Sequence, residues 1–213
     1  MIIAIDPGKT GGIAILSDHQ TIQAFKMPDT DGDVIEFFNE KIPLCQIEGF
    51  KSVCYMEKVG GFIGMRTKYI VCPQCRNQVP VQSADPGSAM FKFGYGNGFL
   101  ISTVMTRKIP LEMVTPQSWM KALSLGTKSG MSKTDWKNKL KAMAQRLYPN
   151  LKVTLNTCDA LLILKYAKMR EASVMQGGQS KDYSKKINEA YEGKPQPYTW
   201  QVEMPLENEN LPF

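Results

Sequence analysis

The sequence predicts an α/β fold with five strands and several capped helices. Two short β-branched runs, residues 2–5 and 13–16, flank a tight Pro/Gly turn and indicate a buried pair of strands. Apolar runs at residues 51–56 and 111–114 indicate further strands, and the segments between and after them carry helical patterns with capping residues.

The composition is that of an ordinary globular protein, with 43% hydrophobic and 22% charged residues in a chain of 213. No apolar run approaches the roughly 20 residues of a membrane helix, and the N-terminus lacks the pattern of a signal peptide. Five cysteines, an odd number, favour a reducing compartment over a disulfide framework. We therefore expect a cytoplasmic protein with no membrane partner.

The charge is unevenly distributed along the chain. Residues 171–213 hold four lysines and seven acidic residues, a balance of −3, so that residues 1–170 carry the remaining 22 basic and 13 acidic residues, a balance of +9. A basic body suggests a polyanionic partner, with nucleic acid as the leading candidate, although solubility alone is an equally good explanation of the charge. We expect one domain over residues 1–170 and a polar, acidic tail over 171–213.

The first half of the chain contains four of the predicted strands. A third strand at about 21–27 follows the turn at 17–20, and Asp33 is a candidate N-cap for a helix that ends near Lys41. The fourth strand, residues 51–56, is followed by Glu57, as the first strand is followed by Asp6.

Residues 59–88 are rich in Gly and Pro and are expected to form a long excursion from the domain. Within it, Cys72 and Cys75 have the spacing of half a tetrahedral zinc site. Three explanations remain open: a zinc site shared across a dimer, a degenerate zinc knuckle, or a turn with two free thiols. Redox catalysis is less favoured, because the pair does not open a helix after a strand.

The second half is predicted to be mainly helical. Residues 88–106 indicate a helix with Gly94 and Gly98 on one face, suited to close helix packing; the alternative is a loop followed by a shorter helix from Asn97. Thr115 and Pro116 then open a short helix. Ser132 caps a basic helix to about residue 148, and an apolar helix runs from about 156 to 170.

Three acidic residues are expected to meet at one edge of the sheet. Asp6 and Glu57 follow two strands that can be neighbours, and Asp159 lies in the first turn of the last helix. Oxygen ligands of this kind favour magnesium or manganese over zinc. Two such ions can activate a water molecule and stabilise the leaving oxygen of a phosphodiester. Each residue also has a structural explanation: Asp6 as a turn residue, Asp159 as a first-turn acid that the helix dipole favours, and Glu57 as a partner of a surface lysine.

The order of four motifs resembles that of the RuvC-type Holliday junction resolvases, and most of all their phage-borne branch. The motifs are Asp6-Pro7-Gly8, Glu57-Lys58-Val59, Val114-Thr115-Pro116-Gln117-Ser118-Trp119 and Asp159-Ala160-Leu161-Leu162-Ile163. The resemblance covers residues 1–170 apart from the excursion. It implies an RNase H-like fold, in which a mixed five-stranded sheet has helices on both faces, and a homodimer in the bacterial cytoplasm that makes paired, metal-dependent nicks in branched DNA. It also implies metal-ligand roles for Asp6, Glu57 and Asp159, with two Mg²⁺ or Mn²⁺ ions in each active site.

One position departs from the family pattern. Where such enzymes have a fourth Asp or His, three residues before the last aspartate, this chain has Asn156, whose amide can assist a metal only weakly. The alternative to a nuclease is therefore a protein that binds branched DNA with weak or no cleavage. We expect Lys128, Lys133 and Lys137 to contact phosphates, and Phe62 either to stack on an unpaired base or to anchor its own loop.

Overall fold

A buried hairpin opens the chain in this computed structural model, which describes residues 1–42, 52–60, 65–84 and 87–175. Strand β1 (Ile2–Asp6) pairs antiparallel with β2 (Gly12–Leu16), and β2 pairs antiparallel with β3 (Ile22–Lys26). The β-branched residues of β1 and β2 are almost fully buried, as both faces of a covered sheet require. All three predicted strands are confirmed.

Helix α1 (Asp31–Lys41) begins three residues earlier than predicted. Its N-cap is Thr30, and Asp33 is the third residue of a capping box in which each side chain binds the backbone N–H of the other residue. The prediction of Asp33 as N-cap is therefore wrong, because a Thr-x-x-Asp pair satisfies two free N–H groups where a lone Asp satisfies one.

Two parallel strands complete the main sheet. Strand β4 (Val53–Glu57) lies beside β1, and β7 (Leu111–Val114) lies beside β4, which gives the order β3-β2-β1-β4-β7. The sheet is therefore mixed and five-stranded, with β2 as its one antiparallel member. This arrangement confirms the predicted RNase H-like class of fold.

The two faces of the sheet bury separate hydrophobic clusters. Alternate residues of β1 divide between them, with Ala4 on one face and Ile3 and Ile5 on the other. The first face packs against the helices of the second half, and the second face packs against α1 and α2 (Gly87–Thr106). The predicted placement of helices on both faces is confirmed.

The excursion between β4 and α2 contains a hairpin of its own. Strands β5 (Met65–Val71) and β6 (Gln78–Ala84) form a separate two-stranded sheet. The sequence does not predict these two strands, because the residues around them are rich in Gly and Pro. Helix α2 spans the whole predicted segment, so the alternative of a shorter helix from Asn97 is wrong.

Three helices follow β7, each near its predicted position. Helix α3 (Pro116–Ala122) has Thr115 as N-cap and Pro at its first position, and α4 (Lys133–Leu147) has Ser132 as N-cap. Helix α5 (Cys158–Met175) begins two residues after Asn156 and continues five residues past Arg170. None of the helices in the part of the chain that the structure describes is long and apolar enough to cross a membrane. Phe62, Cys45 and residues 176–213 lie outside the described residues.

Candidate active site

The register of β1 and β4 brings two carboxylates to the same end of the sheet. Ile5 pairs with Met56 in parallel register, so the next residue of each strand, Asp6 or Glu57, lies at the same edge. Side chains alternate along a strand, so Asp6 shares the face of Ala4 and Glu57 shares the face of Tyr55. Both Ala4 and Tyr55 belong to the cluster that α5 covers.

The first turn of α5 adds Asp159 to these two acids. Helix α5 packs across β1, β2 and β4. Its approach is very close at Gly12, where a Cβ atom would lie 2.6 Å from the backbone oxygen of Asn156. The side-chain amide of Asn156 donates to the backbone oxygen of Thr10 at 3.1 Å, which joins the β1–β2 turn to the start of α5. The register and the position of α5 place Asp6, Glu57 and Asp159 near enough that they affect one another's pKa.

The carboxyl group of Asp6 is strongly perturbed. Its side chain is 9% exposed, and burial together with the charges of Asp159 and Glu57 raises its pKa to about 8, against a smaller opposing effect of Lys137. Burial also raises the pKa of Glu57, and Asp159 adds to that increase. Negative charge at this edge of the sheet is therefore only partly compensated by the protein.

Lys137 of α4 partly compensates this negative charge. Its ammonium group forms a hydrogen-bonded ion pair with the Asp159 carboxylate. Burial opposes the charged form of Lys137, but attraction to Asp159 and Asp6 outweighs it and the pKa of Lys137 is raised. Lys137, which the sequence predicts as a phosphate contact, therefore faces the carboxylates and is paired with one of them.

Two further side chains fix the carboxylates. The indole N–H of Trp119, itself fully buried, donates to Oε2 of Glu57 at 3.0 Å. The thiol of Cys158 lies 3.2 Å from Oδ1 of Asp159 and donates a weak hydrogen bond to it. These contacts limit the rotamers that both acids can adopt.

The donor set fits a hard divalent cation. Carboxylate oxygens are the ligands that Mg²⁺ and Mn²⁺ prefer, and the raised pKa of Asp6 reports negative charge that a cation would stabilise. As the side chains stand, the described residues contain no group of three His, Cys, Asp or Glu arranged as a metal site. Asp159 is paired with Lys137, so a cation that binds this carboxylate would have to replace Lys137 as its partner.

The other predicted contact residues that the structure describes are exposed or partly exposed. Lys128, in the loop before α4, and Lys133, at the start of that helix, are both exposed to solvent. Cys72 and Cys75 are on the β5–β6 turn, where hydrogen bonds from the backbone of Cys75 and Gln74 lower the pKa of Cys72. Phe62 falls outside the described residues.

The sequence does not predict the contacts that Trp119, Lys137 and Cys158 make with the acidic residues. Trp119 was part of a motif but had no assigned role, and the pairing of Lys137 with Asp159 was not foreseen. The available signal was periodicity: Lys137 directly follows Trp136, a buried residue of the apolar stripe of α4, and therefore borders the face that packs on α5.

Comparisons with known proteins give structural likeness only. No protein-family model and no curated protein sequence matches the chain. Among solved structures, the chain is similar to Thermus thermophilus RuvC in complex with Holliday junction substrate, with a TM-score of 0.44 and 13% identity over 79% of this chain and 95% of that one. A second structure of Thermus thermophilus RuvC gives a TM-score of 0.42 and 15% identity, with the same coverage of both chains. The fold assignment stands on the strand order and register described above.

Proposed function

We propose that the protein is a divalent-metal-dependent endonuclease that cuts four-way junctions and other branched DNA by paired nicks. The observation that carries the proposal is the convergence of Asp6, Glu57 and Asp159, from three separate elements, on one edge of an RNase H-like sheet. The sequence resemblance to RuvC-type resolvases, and to their phage-borne branch, agrees with it and remains a prediction.

The acidic residues have distinct roles in this proposal. Two Mg²⁺ or Mn²⁺ ions would be held by Asp6 together with Glu57 and Asp159. The charges of the other two acids both act on Asp6, which has the most strongly raised pKa of the three. When bound, such ions supply an activated water and stabilise the leaving oxygen of the phosphodiester. Trp119 keeps Glu57 in one orientation, and Lys137 places a positive charge beside the acids, which reduces their repulsion of a DNA phosphate.

The surface around the site favours a polyanionic substrate. Lys133 lies one helical turn before Lys137 on the same stripe of α4, and Lys128 precedes them in an exposed loop. Together they extend positive charge outward from the carboxylates. We expect these lysines to contact the phosphates of the strand that enters the site.

A homodimer suits both the substrate and the surface of α2. The two scissile strands of a four-way junction are related by a two-fold axis, as are the subunits of a symmetric dimer. On α2, Phe91 is 74% exposed, and nothing in the described chain lies within 4 Å of a Cβ placed on Gly94 or Gly98. An exposed aromatic beside open glycines allows the α2 helix of a second copy to approach closely.

The test measures how fast the Asp6→Asn variant cleaves a synthetic four-way junction, compared with the natural protein. The substitution keeps the shape of the side chain and removes the carboxylate charge. We expect it to reduce Mg²⁺-dependent cleavage at least about 10³-fold, a loss typical of removing a principal electrostatic group. Junction binding in Ca²⁺, measured by mobility shift, should remain.

The control is Asp18→Asn, a substitution of an exposed aspartate that pairs with the N-terminal amino group. It should leave cleavage and binding unchanged. Cleavage that survives in Asp6→Asn would show that the metal site has been assigned to the wrong residues.

A second function, junction binding without efficient cleavage, is favoured by one observation. Asn156 occupies the fourth position of the site with a neutral amide, and that amide is already engaged with the backbone of Thr10. Asn156→Asp separates the two functions. If the natural chain is only a binder, the new carboxylate should confer metal-dependent nicking; if the natural chain already cuts well, Asn156→Asp should change cleavage by less than about 10-fold.

A further inference from the structure

The turn that joins β5 and β6 holds two cysteines in a compact arrangement. The backbone N–H of Cys72 donates to Asn77 at 2.9 Å, and the N–H of Arg76 donates back to Cys72 at 2.8 Å. Arg76 has φ of 56°, a left-handed conformation that closes the turn immediately after Cys75. The backbone therefore folds around Cys72, and Cys75 lies inside the same turn.

The surroundings of the Cys72 sulfur favour its thiolate form. Hydrogen bonds from the backbone N–H groups of Cys75 and Gln74 and from the Cys75 side chain lower the pKa of Cys72. Hydrogen bonds of this kind hold a ligand atom in a fixed direction. Cys75 is exposed and Cys72 is partly exposed, so the pair can chelate an ion that arrives from solvent.

One copy of the described chain supplies only half of a tetrahedral thiolate site. The other described cysteines, Cys54 and Cys158, are fully buried in the two hydrophobic clusters. The single histidine, His19, lies in the turn between β2 and β3. No third His, Cys, Asp or Glu joins Cys72 and Cys75 within the ranges that the structure describes.

The hairpin also exposes more apolar surface than an isolated hairpin usually carries. Tyr69 and Val71 are 65% and 60% exposed on one face, and Ile70, Val79 and Val81 are exposed on the other. A two-stranded hairpin alone in water is marginally stable. Both faces therefore favour a partner, and β6 ends only three residues before α2, the helix through which we propose that two copies pair.

We propose that Cys72 and Cys75 from two copies of the chain together hold one zinc ion in a four-thiolate site between their hairpins. A two-fold axis through the ion supplies the same pair of thiolates from each copy, which completes the tetrahedral coordination that zinc prefers in structural sites. The site orders the hairpins and covers their exposed apolar residues. It rests on the pairing of copies proposed above and is independent of nuclease activity.

The experiment measures zinc and its ligands in the full-length protein without DNA. After purification with zinc and removal of free metal, we expect about 0.5 zinc per chain. Replacement by Co²⁺ should give the visible absorption spectrum of a tetrahedral four-thiolate site. Cys72→Ser combined with Cys75→Ser should lose the metal and the spectrum.

Cys45→Ser is the matched control, because Cys45 lies outside the described residues and the other two cysteines, Cys54 and Cys158, are buried. It should keep both the zinc ratio and the cobalt spectrum. One zinc per chain, metal binding that needs Cys45, or the absence of bound zinc would each overturn the shared site. None of these outcomes bears on cleavage, which the Asp6→Asn test decides separately.

Discussion

Asp6 is a carboxyl group placed where the protein alone cannot stabilise its charge. It is buried at the end of β1, beside Glu57 and Asp159, and the neighbouring Lys137 is paired with Asp159. Removing a charge from water costs free energy unless an opposite charge or a hydrogen bond replaces the lost hydration. Under the proposed function, the same burial and repulsion would favour the binding of a divalent cation.

This argument predicts how stability depends on pH in chelator. Asp6 has a pKa of about 8 when folded, against about 3.9 in an unfolded chain, so between those values the folded state holds a proton that the unfolded state has released. Its stabilising effect is complete below about pH 4 and is lost as pH rises through 8. We expect the free energy of unfolding to fall over this range, measured by urea denaturation.

Asp6→Asn should remove most of this dependence of the free energy of unfolding on pH. At pH 8 the variant should be more stable than the natural protein by about 1–3 kcal/mol, because the amide is not charged. Mg²⁺ or Mn²⁺ should raise the melting temperature of the natural protein and leave that of Asp6→Asn unchanged. A variant that is less stable at pH 8 would contradict the account of Asp6.

Trp119 is predicted to position Glu57. Trp119→Phe removes the indole N–H that donates to Oε2 while keeping an aromatic ring in the core. We expect cleavage to fall about 10-fold at low Mg²⁺ and to recover partly at high Mg²⁺, because a mobile Glu57 binds metal more weakly. The measurement is the Mg²⁺ concentration at half-maximal cleavage.

Trp136→Phe controls for the loss of a buried indole. Trp136 belongs to the same hydrophobic cluster, and its ring faces the ammonium group of Lys139 at 5.2 Å. It should lower stability by about 1–3 kcal/mol without changing the Mg²⁺ requirement. An equal change of that requirement in both variants would mean that Trp119 acts only through packing.

At the scale of the elements, the contact between the β1–β2 hairpin and the start of α5 fixes the position of Asp159 relative to Asp6. This close contact is possible because residue 12 is glycine. Gly12→Ala would place a Cβ 2.6 Å from the backbone oxygen of Asn156 and 2.7 Å from that of Phe25. Both of these atoms belong to the backbone, which cannot move aside as the end of a flexible side chain can. We therefore expect Gly12→Ala to lower the free energy of unfolding by about 2–4 kcal/mol and to weaken metal binding.

Gly32→Ala is the matched control. Gly32 lies in the first turn of α1, where an added Cβ would be 3.7 Å from the Thr30 side chain, an ordinary contact. Alanine there should be neutral or stabilise by up to about 1 kcal/mol, because glycine costs entropy in a helix. Denaturation curves of both variants measure the contrast, and a small effect at Gly12 would show that α5 can shift.

Elements with strong local signals were predictable from the sequence. Runs of β-branched residues predict the strands of the main sheet, and the N-caps Thr115 and Ser132 predict the starts of α3 and α4. The β5–β6 hairpin was missed because its alternation is short and surrounded by Gly and Pro. The three acids were predictable because each ends or begins an element, whereas the partners of Glu57 and Asp159 depend on helix packing across 62 and 22 residues of sequence.

At the scale of the whole molecule, α5 connects the site to the rest of the core. Its apolar residues from Ala160 to Leu164 are fully buried against the sheet. Farther along the helix, Glu171 accepts a 2.7 Å hydrogen bond from the buried Tyr55 of β4. Because β4 also carries Glu57, both ends of α5 are fixed to the strands that hold Asp6 and Glu57.

The distribution of charge predicts how the chain binds DNA as salt changes. Residues 1–170 carry a balance of +9 and residues 171–213 a balance of −3, so under the proposed function we expect the acidic end to compete with DNA for the basic surface. A chain that ends after Met175 keeps α5 and its bond to Tyr55 while losing six acidic residues and four lysines. We expect it to bind a four-way junction about 2- to 10-fold more tightly at low salt. Titrations from low to high salt should converge for the two chains, because screening removes long-range repulsion first. Equal affinities at low salt would mean that residues 176–213 do not act on DNA through their charge.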